Sequence, residues 1–290
     1  MRIVTFNILN GRTPHDDVVD PSVLADAVRS LDPDVLALQE VDRNQRRSGL
    51  ADLTAVAADA MGASHQQFVA ALAGSPGATW SAATGHEQPR DAAYGISLLS
   101  RLPVSGWESI RLPTLRSRVP MRFSESVRPV LVRDEPRVAI AARVATPYGE
   151  LTVANTHLSF ISWWNRHQLR HLLRALAPAP RPLVLCGDLN MDLARARRIT
   201  GMNPLVAEAT FPADAPTEQL DHVLAEPALA ARGQARRMEL SDHRALVVDL
   251  DLQPGLGADT ARGAALGPGA GLRRLGLSRR RPAPRRTPAG

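Results

Sequence analysis

Eight polar residues sit at the ends of apolar, strand-like runs: Asn7, Glu40, His157, Asp188, Asn190, Asp221, Asp242 and His243. The clearest case is Leu183-Val184-Leu185-Cys186, a short branched run that reads as a buried strand and stops at Gly187. Asp188 and Asn190 follow with one residue between them: a carboxylate that can hold a water or a metal, and an amide that can donate to a developing oxyanion. Gly, Asp and Asn are also ordinary turn residues, so this stretch alone reads as well as a strand-ending turn. Recurrence argues for more. If the strand ends share one rim, they bring together four carboxylates, two imidazoles and two amides. Like charges packed so closely repel unless a cation neutralises them. No Cys/His grouping has zinc spacing, and hard oxygen donors favour Mg²⁺, with Mn²⁺ or Ca²⁺ as alternatives. A carboxylate-held divalent ion beside histidine acid/base groups suits phosphate-ester hydrolysis.

The elements that must position these groups follow from the apolar spacing. Arg2–Phe6 reads as a strand ending on Asn7, with a turn at Asn10-Gly11. Asp20-Pro21 supplies an N-cap and a first-turn proline for a helix carrying Val23, Leu24, Ala27, Val28 and Leu31 on one face. Val35–Leu38 is a second buried strand, finishing on Gln39-Glu40. Leu50, Leu53, Val56, Ala57, Ala60 and Met61 trace a second helix, closed by Gly62. The Gly74–Ala93 stretch reads as loops and weak strands, and Tyr94–Arg101 as a strand with an exposed basic end. Arg111–Pro136 reads as a long connection carrying Arg111, Arg116, Arg118, Arg122, Arg128 and Arg133, either shaping a substrate site or solvated. A hairpin around Pro147-Tyr148-Gly149 leads to Asn155-Thr156-His157, then to a helix with Trp164, Leu169, Leu172, Leu173 and Leu176 inward. Trp163 and Trp164 read as packing residues ahead of a base-stacking platform. Gln219–Leu224 is a short strand with Asp221 in its middle, and Ala245–Leu250 a last buried strand.

Of the 290 residues 44% are hydrophobic, enough to bury a sizeable core without disulfides, and the single cysteine, Cys186, excludes an internal disulfide. Its place inside a strand makes it a core residue. Neither a secretory leader nor a membrane-length apolar run is visible, so a cytoplasmic protein is expected. The net charge of +6 belongs to one end. Residues 253–290 hold eight arginines and one acid, which leaves residues 1–252 near neutral. All basic residues are arginine, a uniformity that reads as coding bias. The Gly/Ala/Pro/Arg-rich tail cannot bury enough apolar area to fold alone and is expected to be disordered, with weak polyanion binding as its one candidate role.

The stretches TFNILNG, LALQEV, VANTHL, CGDLN, QLDHVL and SDH occur in an order that resembles the endonuclease/exonuclease/phosphatase superfamily over residues 1–252. The resemblance implies a deoxyribonuclease I-like fold, a four-layered α/β sandwich of two packed mixed β-sheets flanked by helices. It implies Glu40 as principal Mg²⁺ ligand with Asn7 and Asp242 beside it, and Asp188 as the residue that orients or deprotonates the attacking water. It implies Asn190 as a contact to the scissile phosphate, and Asp221 and His243 as an acid–imidazole pair. His157 stands where nuclease- and sphingomyelinase-like members carry a second histidine. SDHRAL lacks the proline often found two residues after the histidine, and QLDHVL lacks a basic residue often found before this strand. Neither departure touches the implied chemistry. The expected activity is Mg²⁺-dependent phosphodiester hydrolysis, the substrate being nucleic acid, a phospholipid headgroup or a small diester. A catalytically inactive polyanion-binding module, using the arginine-rich loop and tail, is the competing class.

Overall fold

The computed structural model describes residues 1–14, 19–121 and 129–253, so the tail, Arg122 and Arg128 lie outside the described residues. Two large sheets form the centre of the molecule. The first contains β1 (Arg2–Asn7), β2 (Val35–Arg43), β3 (His65–Gly74), β4 (Trp80–Ala82), β5 (Ala93–Ser100), β14 (Ala231–Arg236) and β15 (Ala245–Leu250). Its order is β14-β15-β1-β2-β5-β3-β4, with β1 and β2 parallel. The second contains β6 (Val104–Arg111), β9 (Val138–Thr146), β10 (Gly149–His157), β11 (Leu183–Asp188), β12 (Asn203–Pro204) and β13 (Asp221–Glu226). Its order is β12-β13-β11-β10-β9-β6, with β10 and β11 parallel. A small hairpin of β7 (Val119–Met121) and β8 (Val130–Val132) stands apart within the long arginine-bearing connection.

Period-two alternation builds four layers from these strands. Ile3, Val35, Ala37, Val153, Val184 and Cys186 point between the sheets into one core. Their neighbours Val4, Leu36 and Leu38 point outward against Leu24, Val28 and Leu31 of α1 (Pro21–Leu31) and Leu53 and Ala57 of α2 (Leu53–Met61). On the far side Ala154, Leu183 and Leu185 meet Leu169 and Leu172 of α3 (Ser162–Ala175) and Ala196 of α4 (Leu193–Thr200). The caps match the sequence signals. Asp20 accepts from Ser22 N, Pro21 occupies the first turn, and Gly62 closes α2 in the left-handed conformation.

Several elements differ from expectation. β3, β6, α4 and β14 were not expected, and Gly74–Ala93 holds the single short strand β4. β11 does not stop at Gly187 but runs through it to Asp188. A Cβ at Gly187 would lie 1.9 Å from Thr156 O, so only glycine lets β10 and β11 pair up to His157 and Asp188. Asp221 opens β13 rather than sitting mid-strand, which sets it opposite Asp188 in register. Arg101 is no free basic end: its guanidinium meets Asp32 at 2.7 Å.

Candidate active site

The two parallel pairs, one in each sheet, deliver their C-terminal ends to the same rim. Asn7 ends β1 beside Gln39 of β2, and His157 ends β10 beside Asp188 of β11. Glu40 lies at a bulge where the β2–β5 register shifts, with φ of 55°. A left-handed glutamate at a bulge is costly backbone, and it re-aims this side chain toward the rim. Asn190 is also left-handed, at φ 50°, a conformation asparagine tolerates. Its backbone N donates to Asp188 Oδ1 at 2.9 Å, fixing the turn.

Asp188 Oδ2 is the meeting point. Asn7 Nδ2 donates to it at 3.1 Å, His157 Nε2 stands at 3.4 Å and His243 Nε2 at 3.9 Å. Asn7 Nδ2 also reaches Glu40 Oε1 at 3.1 Å, and Asn190 Nδ2 lies 3.3 Å from His157 Nε2. Behind His243, Asp221 Oδ2 accepts from Nδ1 at 2.8 Å. The loop carrying Asp242 and His243 is tied down by Ser241, whose hydroxyl donates to Asn7 O at 2.6 Å and accepts from His243 N at 3.0 Å. Asp242 completes the group: its charge acts on both Glu40 and His243. All eight residues singled out in the sequence therefore belong to one cluster.

Burial and charge set the protonation states. Burial raises the Asp188 carboxyl, and the neighbouring Asp221 carboxylate raises it further, to about 7. For His243 burial works against the charge, but Asp221, Asp188 and Asp242 outweigh it and hold the ring as imidazolium, with its pKa raised to about 10. His157 is the opposite case: burial, then the Arg137 and His243 charges, push it well below 6.5. Its contact with Asp188 is thus a polar contact of a neutral ring and not an ion pair. Glu40 is raised by burial, against a lowering hydrogen bond from Asn7, and Asp242 adds to the rise.

Two of these observations bear on a cation. Asp242 Oδ1 is buried with no hydrogen-bond partner, and Glu40 and Asp242 repel each other at the rim. An orphaned carboxylate oxygen beside a second carboxylate is an oxygen donor pair that fits a hard divalent ion. Ligand atoms of Asp188, Asp221 and His243 also lie within 4.8 Å of one another. There, Asp221 Oδ2 and His243 Nδ1 already satisfy each other, which leaves Asp221 Oδ1, buried without a partner, as that trio's unsatisfied donor.

One residue was missed. Arg137 is buried to 7% exposure just before β9, its Nε has no partner, and its charge acts on Glu40, His157, Tyr94 and Asp134. A charged residue at the start of an apolar run looks like any strand terminus, so nothing in the sequence marked it.

The chain matches the Endonuclease/Exonuclease/phosphatase family model over residues 4–243 and belongs to that family, whose members are divalent-metal-dependent hydrolases of phosphate esters. Its structure is similar to the endonuclease/exonuclease/phosphatase of Beutenbergia cavernae DSM 12333, with a TM-score of 0.61 and 24% identity over 87% of this chain and 71% of that one. It is similar to the mannosyl-6-phosphatase of Bacteroides thetaiotaomicron VPI-5482 (TM-score 0.54, 14% identity, 87% and 100% covered). It is also similar to a humanized D. rerio TDP2 (TM-score 0.52, 17% identity, 87% and 99% covered). No curated protein sequence matches the chain.

Proposed function

We propose that this protein is a Mg²⁺-dependent phosphodiesterase, with Mn²⁺ or Ca²⁺ as substitutes. The observation that carries the reading is the convergence of Asn7, His157 and His243 on Asp188 Oδ2, with Asp221 behind His243. Glu40, Asp242 and Asn7 are the residues that would hold the cation, the two carboxylates as its charged donors. Bound there, it would supply Lewis acidity toward a phosphoryl oxygen.

The protein's own groups perform the rest. Asp188, with its proton balanced near neutral pH, orients the attacking water and accepts its proton. Asn190 Nδ2 and neutral His157 donate to non-bridging oxygens of the scissile phosphate. The His243 imidazolium, held in orientation by Asp221, offers Nε2–H to the phosphoryl group as charge builds on it. Arg137 faces the same pocket wall as His157 and adds a fixed positive charge.

Hydrolysis of bis(p-nitrophenyl) phosphate and of p-nitrophenyl phosphate, each with Mg²⁺ and with EDTA, tests the reading. The expected result is metal-dependent turnover that favours the diester. Asp188→Asn and His243→Ala are each expected to lower kcat by about 10²- to 10⁴-fold with an unchanged circular dichroism spectrum. Turnover that survives EDTA and both substitutions would sink the proposal.

A further inference from the structure

The helices that follow the two catalytic strands carry a second feature. α3 begins just after β10 delivers His157, and α4 just after β11 delivers Asp188. Neither helix contains an acidic residue, whereas together they carry Arg166, Arg170, Arg174, Arg195, Arg197 and Arg198. None of these six arginines forms an ion pair among the described residues. Arg166, Arg170 and Arg174 recur at i, i+4 and i+8, one row along the exposed side of α3, each step rising about 6 Å.

Aromatic surface heads this row. Trp163 is 54% exposed, which overturns its reading as a packing residue. It meets Trp164 edge-on with ring centroids 5.4 Å apart, and Trp164 stacks on His167 at 4.8 Å with planes 23° apart. The Trp164 indole N–H is buried without a partner. These rings and Arg166, Arg170 and Arg195 line a basin of about 460 Å³, large enough for a nucleotide. The Arg195 guanidinium donates to Ser162 O and bridges the two helices. Asn165, in the same first turn as Trp163, donates to Asn190 O at 2.7 Å, so the basin is fastened directly to the phosphate-contacting loop.

We propose that the first turns of α3 and α4 form a subsite for single-stranded nucleic acid: an unpaired base lies on Trp163 and flanking phosphates meet Arg166, Arg170 and Arg195. The inference rests on the phosphodiesterase reading and narrows its substrate class. An exposed indole beside unpaired guanidinium groups is the combination that binds single strands, because stacking accepts any unstacked base and the arginines track the backbone. A duplex keeps its bases stacked and offers Trp163 no face. A membrane surface would need several neighbouring apolar tips, and Trp163 is the one large exposed hydrophobic of this basin.

The test measures binding to the full chain in EDTA by fluorescence anisotropy, so that no turnover is required. The probes are a labelled ten-residue oligothymidylate and a strand of the same length made wholly of abasic sites. A basic tail is blind to bases and acts equally on both. Wild type is expected to prefer the oligothymidylate by about 5- to 150-fold, the range of stacking one base, and Trp163→Ala to abolish the preference. Trp163→Phe is expected to keep part of it. Arg166→Ala/Arg170→Ala is expected to weaken both probes alike and to lower the salt slope by about 1.4. Equal binding of the two probes by wild type, or a preference that survives Trp163→Ala, would overturn the inference. So would Trp163-dependent binding to phosphatidylserine vesicles without any preference for the base-bearing strand. Bis(p-nitrophenyl) phosphate turnover by wild type reads the catalytic proposal separately, so either idea can fail alone.

Discussion

Arg137 brings a positive charge into the protein with little to neutralise it, for its one carboxylate contact among the described residues is Glu135 at 3.8 Å. A guanidinium buried to 7% exposure without a tight partner is expensive unless an anion completes it, and it lines the same pocket as His157. Arg137→Ala is expected to lower kcat on a diester by about 10²-fold, as loss of one preorganised donor does. Arg137→Lys keeps the charge but loses the planar fork and is expected to recover only part of the rate. Steady-state kinetics on the two variants would decide; equal, wild-type rates would remove Arg137 from the site. The other eight residues were legible because each is a polar group beside an apolar run: Asn7, Glu40, His157, Asp188 and Asn190 follow one, and Asp221, Asp242 and His243 lead into one. Arg137 opens a run within a segment already crowded with arginines, and only its burial, invisible in sequence, separates it from them.

The strands are locked together across the sandwich by a buried polar set immediately behind the site. Gln39 Nε2 donates to Asn155 Oδ1 at 2.7 Å, and Asn155 Nδ2 donates to Leu38 O at 2.9 Å and to Ser97 O at 2.8 Å. Gln39 precedes the Glu40 bulge and Asn155 lies two residues before His157, so this pair sets the Glu40 end of one sheet against the His157 end of the other. Asn155→Ala strips three buried hydrogen-bonding groups of a partner and is expected to destabilise by about 1–3 kcal/mol. That lowers Tm by several degrees and loosens Glu40 relative to His157, readable as a drop in kcat. A variant with unchanged Tm would show that the sheets are held by apolar packing alone. His222, beside Asp221 on β13, gives a pH prediction. Burial lowers its pKa from 6.5, its largest effect, and its Nε2 donates to Met191 O at 2.8 Å. The unfolded chain therefore takes up a proton first as pH falls, so stability is full above about pH 6.5 and is lost below it. His222→Gln keeps a donor for Met191 and removes the proton uptake, so between pH 7.5 and 5 its Tm is expected to fall less than wild type's. Parallel slopes in thermal melts would refute this. Buried strands with apolar runs were readable at this scale. β6 and β14 were not, because edge-strand sequences such as VSGWESIR and ARGQAR bury one face or less. α4, LARARRIT, was hidden for the same reason: three of its eight residues are arginines and it buries chiefly Ala196.

At the scale of the whole chain, fold and chemistry follow from one pattern: alternating apolar residues build both sheets, and each parallel pair aims its polar ends at one rim. Layer order was readable through the family's ordered motifs, whereas the pairing of β11 with β13, which makes Asp188 face Asp221, is a tertiary fact that spacing alone does not contain. Charge is divided differently from structure. The family match spans residues 4–243, while residues 253–290 hold eight arginines against one acid. No helix among the described residues is long and apolar enough to cross a membrane. We propose that the tail increases the time the protein spends on a polyanion without entering the chemistry. Each phosphate neutralised adds about 0.7 to the salt slope on a single strand, so removing residues 253–290 is expected to flatten log K against log salt by several units. Turnover of bis(p-nitrophenyl) phosphate, which carries a single phosphate charge, is expected to stay at the wild-type value. Salt titrations of oligonucleotide binding by the full and shortened chains provide the measurement. An unchanged slope would mean that the arginines of α3 and α4 carry the electrostatic attraction by themselves.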